Sequence, residues 1–260
     1  MITSLLLLLA LCTIIHVYNG LPQWKDTRAL TILAHHLSSV LAKLNWDCRT
    51  DGEDKCCRGI CFKRTDKSGL TSGLKVGAKH EPWMGGIIAK YGDAHGIAID
   101  VGAHIGYHSL KMADHFAIVF ALEPDPITFG YLHKNTGKKG NVKCINAAAS
   151  SVDNDASLSR DTISTRSTLM DTKDGVNVRA RSLDSLTLDG TLPVSFIKMD
   201  VEGHEVKVLQ GATNLLRTRR PVIVYEDHTG ATTSFLLRNF AFYRVQQINP
   251  TNYLALPQPC

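Results

Sequence analysis

The stretch IAIDVGAHIGYHSL, from Ile97 to Leu110, decides how this chain folds. It begins with β-branched and small apolar residues, reaches Asp100, and then places Gly102 and Gly106 on either side of a histidine. A short apolar run that ends in a glycine-containing turn is typical of a buried parallel strand passing into a helix. The same turn also occurs in pockets for nucleotide-like cofactors, so the rest of the sequence has to distinguish a plain turn from a binding site.

Strand-length and helix-length apolar segments alternate after this stretch. The predicted strands are 97–101, 117–122, 142–146, 194–199 and 221–225, followed by an antiparallel pair at 242–248 and 253–256. The predicted helices are 107–115, 126–138, 203–216 and 231–239. Such alternation predicts an α/β fold with βαβ units, a mostly parallel sheet and helices on both of its faces. The middle segment, 150–192, is rich in Ser, Thr and Asp and predicts loops with short strands at 176–180 and 183–188.

The N-terminus predicts entry into the secretory pathway. Residues 1–20 hold an apolar run from Leu5 to Ile15, which is shorter than the roughly 20 residues that span a bilayer and is typical of a signal peptide. The first four residues carry no Lys or Arg, and Tyr18-Asn19-Gly20 is a poor cleavage site. An uncleaved signal anchor in the membrane is therefore the alternative. Either interpretation predicts a secreted protein or one of the ER or Golgi lumen.

Residues 21–80 predict a helical and Cys-rich N-terminal extension. Apolar spacing predicts an amphipathic helix at 27–44, and the run TDKSGLTSGLKVGAKH at 65–80 reads as a loop or linker. Between them lie four cysteines within fourteen residues: Cys48, Cys56, Cys57 and Cys61. An oxidising compartment favours disulfides over a zinc site, because the paired C-x-x-C spacing and a histidine are both missing from the cluster. We expect the adjacent residues Cys56 and Cys57 to form disulfides with other cysteines and not with each other. We expect Cys144 to be a buried thiol.

Size and charge restrict the class of protein. A chain of 260 residues with 44% hydrophobic content buries one substantial core, here predicted to be a domain at 81–260. The net charge of +5 comes from scattered residues with no aromatic and basic stripe, so no nucleic-acid partner is expected.

Polar residues collect where the predicted parallel strands end. Ligands bind outside the carboxyl ends of such strands, where the strand order reverses. The residues at those ends are Asp100 with Gly102, His104 and Gly106, then Glu123, Asn146, Asp200 with Glu202, and Glu226. One acid there is an ordinary helix cap, but several acids on one edge repel each other unless a cationic or hydroxyl-rich group is bound.

The spacing of these residues favours one cofactor over another. Glu123 lies 21 residues after Gly102, close to the distance at which an acid binds the ribose hydroxyls of a nucleotide. A dinucleotide requires the G-x-G-x-x-G pattern for its pyrophosphate, but the middle position here is His104. S-adenosylmethionine carries no phosphate and has a sulfonium and an ammonium group that nearby acids such as Asp100 would stabilise. The turn therefore favours S-adenosylmethionine over NAD.

An ordered set of motifs resembles the FkbM-type methyltransferases between Trp83 and Glu226. The motifs are DVGAHIGYHSL, ALEPDPITFGYLHKN, VKCINAAASS, ARSLDSL, FIKMDVEGHEVKVLQGA and RPVIVYE. The resemblance implies a class I methyltransferase, or Rossmann-like, fold and a donor site at Asp100, Gly102, Gly106 and Glu123, together with transfer to a hydroxyl of a glycan or small molecule. His104 departs from the family, which usually has Asn at this position.

The resemblance also places Lys198, Asp200 and Glu202 beside the methyl group. Asp200 or Glu202 would accept the proton of the acceptor hydroxyl, and Lys198 would lower the pKa of that hydroxyl or hold a carboxylate. The alternative is an internal Lys198–Asp200 ion pair with Glu202 in a helix cap. His108 and His204 are further candidate bases, although histidines at such turns more often pack or cap. No metal site is expected, because metal-assisted transfer requires a cleaner carboxylate cluster.

Two functions of different classes follow. The first is an S-adenosylmethionine-dependent O-methyltransferase of a glycan or small molecule in the secretory pathway. The second is a non-catalytic FkbM-like protein that acts in trafficking or binding, as the leader and His104 would allow. An NAD-dependent oxidoreductase shares only the geometry of the turn.

Overall fold

The structure is a computed structural model that describes residues 48–66, 68–76, 80–159, 168–170, 175–186 and 192–259. The predicted leader, the predicted helix at 27–44 and Cys260 lie outside the described residues. Within those ranges, no helix combines the length and the hydropathy needed to cross a bilayer.

The described residues form fourteen strands and seven α-helices. The strands are β1 Cys48–Asp51, β2 Asp54–Cys57, β3 Ile60–Lys63, β4 Ile97–Val101, β5 Ile118–Leu122, β6 Val142–Ile145, β7 Ala148–Ala149, β8 Asn154–Ser159, β9 Thr168–Met170, β10 Val176–Arg181, β11 Val194–Met199, β12 Val222–Glu226, β13 Tyr243–Gln247 and β14 Asn252–Pro257. The helices are α1 Gly69–Val76, α2 Pro82–Tyr91, α3 Tyr107–Met112, α4 Pro126–Thr136, α5 Glu205–Gln210, α6 Thr213–Arg219 and α7 Ala231–Asn239.

A seven-stranded sheet in the order β13-β14-β12-β11-β4-β5-β6 forms the centre of the fold. The pairs from β12 to β6 are parallel, whereas β14 is antiparallel to both of its neighbours. The chain runs outward from β4 to β6 and then returns to β11 on the opposite side of β4. The order therefore reverses between β4 and β11, and a ligand crevice is expected at their carboxyl ends. The predicted mostly parallel sheet is confirmed.

Both faces of this sheet are covered, which explains why β4 is buried along its whole length. Ile97, Ile99 and Val101 belong to a core with residues of α5, α6 and α7. Ala98 points to the opposite face and packs in a second core with residues of α2 and α3. Because side chains alternate along a strand, one five-residue segment contributes to two cores, and all five of its residues are buried.

The middle of the chain forms a separate four-stranded sheet in the order β7-β10-β8-β9. The strand predicted at 176–180 is present as β10, but the strand predicted at 183–188 is wrong over its described residues, 183–186. Leu183–Ser185 is a 3-10 turn, in which the Ser182 side chain accepts a hydrogen bond from the Ser185 N–H. A serine that bonds the backbone locally offers the chain an alternative to pairing in a sheet.

The single helix predicted at 203–216 is also wrong, because α5 and α6 are separate. Gly211 lies at the break, where a Cβ atom would stand 2.0 Å from the Ser150 carbonyl oxygen. This close approach of a neighbouring chain segment ends α5. The apolar spacing continued across the break because both helices face the same core.

The Cys-rich extension is a three-stranded antiparallel sheet, β1-β2-β3. Disulfides join Cys48 to Cys57 and Cys56 to Cys61, so the expectation that the adjacent cysteines bond outward is confirmed. Cys144, in β6, is a free thiol that is half-buried.

The loop predicted at 65–80 contains a helix, α1. The Ser68 hydroxyl accepts a hydrogen bond from the Thr71 N–H before the helix. Leu70 and Leu74, four residues apart, are buried against Ile105 of the glycine turn. Glycine and serine disfavour a helix locally, but burial of one apolar face compensates for this low propensity.

Candidate active site

A cleft that is partly open to solvent lies at the carboxyl ends of β4, β5 and β11. Its walls come from the turn after β4, the loop after β5, the β6–β7 connection and the loop after β11. The lining residues include Gly102, His104, Glu123, Ala148, Asp200, Glu202 and His204. The predicted site residues Gly102, His104, Glu123, Asp200 and Glu202 are thus brought together around one space.

The turn after β4 requires a left-handed backbone at three positions. Gly102, His104 and Gly106 have φ values of 74°, 51° and 87°. At Gly102 a Cβ atom would stand 2.0 Å from the Asp200 carbonyl oxygen, so glycine allows the ends of β4 and β11 to approach. His104 is tolerated because histidine, like asparagine, enters the left-handed region more readily than most residues. Gly106 begins α3 and is not among the lining residues.

Glu123 is the buried acid of the cleft. Its carboxylate accepts hydrogen bonds from the backbone N–H groups of His104, at 3.0 Å, and Asp125, at 2.9 Å. Burial raises the pKa of Glu123 to about 7, even though these two N–H groups favour the ionised form. Glu123 therefore changes its charge near neutral pH and can accept further hydrogen bonds from a ligand in the cleft.

Asn146 supports the loop that carries Glu123. Its amide donates to the carbonyl oxygens of Glu123, at 2.8 Å, and Pro124, at 3.1 Å. Asn146 is not among the residues that line the cleft. The predicted cofactor residue thus orients the segment that presents Glu123.

A buried ion network joins β4 to β11. The Lys198 ammonium lies 3.4 Å from Asp100 Oδ1 and 3.5 Å from Asp200 Oδ2, and it donates to the Gly102 carbonyl oxygen at 3.2 Å. Asp100 also accepts a hydrogen bond from the Ser109 hydroxyl at 2.6 Å. Lys198 and Asp100 are almost completely buried and are not among the lining residues.

The ion pairs in this network shift the pKa values of Lys198 and Asp200. Burial alone would favour neutral Lys198, but Asp100 and Asp200 outweigh it and raise the pKa of the amine. Burial likewise opposes ionisation of Asp200, but Lys198 outweighs it and lowers the pKa of that carboxyl. The ion pair considered as an alternative in the sequence is therefore present. Asp200 is still 39% exposed at its side chain, so it can also contact a ligand.

A cluster of three carboxylates includes two residues that line the cleft. Carboxylate oxygens of Asp200, Glu202 and Glu226 lie within 4.8 Å of one another. Burial and the nearby Asp200 raise the pKa of Glu226, and His228 lies 3.2 Å from its carboxylate. Such a concentration of negative charge favours a cationic group or a hydroxyl donor in this part of the cleft.

The two candidate histidine bases occupy different surroundings. His204 lines the cleft, and its Nε2 atom lies 2.9 Å from the Ser150 hydroxyl. His108 is buried in α3, and its Nε2 atom lies 2.8 Å from Glu81 Oε2. Burial lowers the pKa of His108 to about 3, so this ring stays neutral at physiological pH.

Sequence reasoning missed Glu81 and His80, which precede α2. His80 Nε2 lies 3.8 Å from Glu81 Oε2, and the same carboxylate oxygen also contacts His108 Nε2. Glu81 has a left-handed backbone, with φ 42°. Because Glu81 and His108 are separated by 27 residues and belong to no common motif, no spacing signal in the sequence could have found this contact.

The fold and the cleft define a class I methyltransferase-type domain. The family model described as the methyltransferase FkbM domain matches residues 100–245, more than half of the chain. The chain belongs to the FkbM methyltransferase domain family, and the resemblance inferred from its motifs is confirmed.

Individual relatives cover parts of the chain. A hexuronic acid methyltransferase, AglP of Haloferax volcanii, is 37% identical over 134 residues, which are 50% of this chain and 55% of that protein. The chain thus spans about half the length of this curated relative. Among solved structures, the methyltransferase FkbM of Methylobacillus flagellatus has 19% identity and a TM-score of 0.48, covering 62% of this chain and 44% of its own. TYW2 of M. jannaschii, crystallised with AdoMet, has 14% identity and a TM-score of 0.42, covering 80% and 85%.

Proposed function

We propose that this chain binds S-adenosylmethionine in the cleft and transfers its methyl group to a hydroxyl of a glycan or small molecule, as an O-methyltransferase of the secretory pathway. The observation that carries the proposal is Glu123. This buried acid lines the cleft beside the glycine turn, with a carboxylate held by backbone N–H groups of His104 and Asp125. A carboxylate so placed is suited to the two vicinal hydroxyls of a ribose.

The chemistry of the cleft fits S-adenosylmethionine better than a dinucleotide. A pyrophosphate requires free backbone N–H groups and little negative charge, whereas the His104 N–H already donates to Glu123. Asp200 and Glu202 line the same cleft and repel phosphate. The same carboxylates favour a sulfonium and an ammonium group.

The chain's own residues have distinct tasks in the transfer. Bound at Glu123, S-adenosylmethionine would supply an electrophilic methyl group to the acceptor oxygen, and the proton of the acceptor would pass to a base of this chain. Asp200 is the base we assign, because it lines the cleft and its lowered pKa keeps it ionised at neutral pH. Glu202 lines the same wall and is the second carboxylate within reach. Lys198 is a positioning residue that holds Asp200 at 3.5 Å from its ammonium.

Two further observations support the acceptor class and the compartment. The curated relative from Haloferax volcanii is named as a hexuronic acid methyltransferase, so a glycan hydroxyl is the acceptor we propose here. The pairs Cys48–Cys57 and Cys56–Cys61 are within disulfide distance, and disulfides persist in oxidising compartments. The apolar run from Leu5 to Ile15 would direct the chain there.

The decisive experiment is calorimetry of the full chain with S-adenosylhomocysteine, S-adenosylmethionine and NAD in turn. We expect one site per chain for the two sulfur compounds and none for NAD. Saturating S-adenosylhomocysteine should also raise the melting temperature, because a ligand at a hundredfold excess over its dissociation constant stabilises the native state by about 2.7 kcal/mol. A folded protein that binds neither sulfur compound would exclude the methyltransferase and favour the non-catalytic alternative.

A further inference from the structure

Three potential metal ligands meet beside the ion network, outside the proposed donor cleft. His80 and Glu81 precede α2, and His108 lies in the first turn of α3. One nitrogen of each imidazole and one carboxylate oxygen lie within 4.8 Å of one another. Glu81 Oε2 is the central atom, 2.8 Å from His108 Nε2 and 3.8 Å from His80 Nε2.

These distances are close to those of a bound ion. Zinc binds histidine nitrogens and carboxylate oxygens at about 2.0–2.2 Å, so two ligand atoms of a tetrahedral site are about 3.4 Å apart. The separations of 2.8 and 3.8 Å lie on either side of this value. Small rotations of the exposed ends of Glu81 and His80 would bring all three atoms into a ligand sphere.

We propose that His80, Glu81 and His108 form a binding site for one divalent transition-metal ion, best matched by Zn²⁺. Two imidazoles and one carboxylate are a donor set that selects zinc and related ions over Mg²⁺ and Ca²⁺, which prefer oxygen. The ion would replace the hydrogen bond between His108 and Glu81.

The three proposed ligands differ in how far their side chains are exposed to solvent. The His108 side chain is 6% exposed, Glu81 22% and His80 32%. His108 is therefore held rigidly in the core, while the other two ligands border solvent and leave room for a water or another ligand.

The surrounding charges do not prevent a cation from binding. Two ammonium groups, Lys198 and Lys111, act on this cluster and oppose a cation. The carboxylates of Asp100 and Asp200 act on it in the opposite sense. With Glu81 itself, three carboxylates balance two ammonium groups, so the local charge is slightly negative.

The bound ion would fasten the segment before α2 to α3. His80 and Glu81 come from one segment and His108 from another, so metal coordination cross-links two parts of the fold that β4 separates in sequence. The site does not depend on the proposed methyl donor, because none of its three ligands is among the residues that line the cleft.

The test uses the full chain, purified without a histidine tag and freed of metal with a chelator. We expect calorimetry to show one Zn²⁺ per chain, and Co²⁺ to give the visible absorption of a four- or five-coordinate ion. His80→Ala should weaken Zn²⁺ binding at least 100-fold. The matched control is His115→Ala, which removes an exposed histidine that is not one of the three ligands, and this variant should bind Zn²⁺ as the wild type does.

Two further variants keep the outcome unambiguous. Glu81→Gln removes the carboxylate that contacts His108 Nε2 but keeps the size of the side chain, and it should also weaken Zn²⁺ binding. Glu226→Gln alters the separate carboxylate cluster of Asp200, Glu202 and Glu226 and should leave Zn²⁺ binding at the proposed site unchanged. The proposal is overturned if the wild type binds no Zn²⁺ at micromolar concentration, or if His80→Ala binds as His115→Ala does. S-adenosylhomocysteine affinity, measured on the same samples, should be unchanged in His80→Ala, which separates this test from that of the proposed function.

Discussion

Burial sets the chemistry of Glu123 more than its hydrogen bonds do. Two backbone N–H groups favour the carboxylate, yet loss of solvent raises its pKa to about 7. A carboxylic acid in water ionises about three pH units lower. Its side chain therefore gains or loses a proton in the range where binding experiments are made.

The first prediction follows from this pKa. If the ionised carboxylate accepts the ribose hydroxyls, S-adenosylhomocysteine affinity should rise with pH up to about 7 and then level off. Below that pH it should fall by as much as about tenfold per unit, because binding must first remove a proton from Glu123. Calorimetry between about pH 5.5 and 8.5, in buffers of different ionisation enthalpy, measures both the affinity and the released proton.

Glu123→Gln is the control for this pH profile. The variant keeps the size of the side chain but has no proton to release, so its affinity should be lower and independent of pH. The loss should be roughly 1.5–3 kcal/mol, the scale of a hydrogen bond to a charged group. A wild-type affinity without pH dependence would show that Glu123 does not bind the donor in its ionised form.

Asp200 is predicted to act mainly in turnover and to contribute little to the binding of S-adenosylhomocysteine. Asp200→Asn keeps the shape but removes the negative charge, so kcat should fall by roughly 10²–10⁴ with S-adenosylhomocysteine affinity nearly unchanged. Labelled S-adenosylmethionine with glucuronic acid glycosides as acceptors provides the measurement. Asp155→Asn, at an exposed position of β8, should match the wild type.

Folding has to be checked in the same variant. Asp100 still pairs with Lys198 when Asp200 is changed, so circular dichroism should show a folded protein. Unchanged turnover in a folded Asp200→Asn variant would assign Asp200 to the ion pair alone. A variant that unfolds would show that the ion pair is needed for stability, and Glu202→Gln then tests the base.

At the scale of elements, the Cys-rich extension is packed against the glycine turn. Ile105, between Gly102 and Gly106, is buried with residues of β2, β3 and α1. Asn135 of α4 joins the two parts, because its amide donates to the carbonyl oxygens of Ile105, at 2.7 Å, and Cys61, at 2.9 Å. Its side-chain oxygen accepts from the Cys61 N–H at 2.7 Å. The extension thus supports the turn through Ile105, which is not among the residues that line the cleft.

Asn135→Ala should therefore weaken both stability and donor binding. The change leaves buried backbone groups of Cys61 and Ile105 without partners, which costs about 1–3 kcal/mol in the free energy of unfolding. The turn would also lose its support, so S-adenosylhomocysteine affinity should fall. Urea denaturation and calorimetry measure the two effects.

The comparison variant is Asn239→Ala, in which an exposed side chain loses one bond to a carbonyl of its own helix. It should change the free energy of unfolding by less than about 0.5 kcal/mol. If Asn135→Ala were no more destabilising than Asn239→Ala, the extension would not be coupled to the turn.

At the scale of the whole molecule, the cysteines report the compartment in which the chain folds. Both disulfides close short loops, with sequence separations of 9 and 5 residues. Cys144 is apart from them, and burial raises the pKa of its thiol. A protein made in an oxidising lumen should carry two closed loops and one slow-reacting thiol among the described cysteines.

Peptide mapping of the unreduced protein, isolated from a secreting host, checks this. Alkylation before reduction should label Cys144 slowly and leave the four clustered cysteines unlabelled. The linked peptides should give the pairs Cys48–Cys57 and Cys56–Cys61. Four freely alkylated thiols in the cluster would argue against the secretory compartment, and labelling that appears only after chelation would indicate a metal site instead.

Local patterns in the sequence were sufficient for the architecture of the sheet. The apolar strands, the helices between them and the acids at their ends all follow from periodicity and turn chemistry, which depend on neighbouring residues. The chain order of the motifs then indicated the family, and the spacing from Gly102 to Glu123 indicated a donor site. These features are encoded within short segments or in distances along the chain.

Only the tertiary structure decided which of these segments touch. The break at Gly211 arises from the Ser150 carbonyl oxygen, and α1 forms because Leu70 and Leu74 find a place to be buried. Asn135 meets Cys61 across 74 residues, and Glu81 meets His108 across 27. Such contacts exist only after the sheet has formed and brought distant segments together, because burial and pairing depend on what lies nearby in space. For the same reason the sequence determined which acids line the strand ends, whereas their protonation was decided by the fold, through burial of Glu123 and the placing of Lys198 beside Asp200.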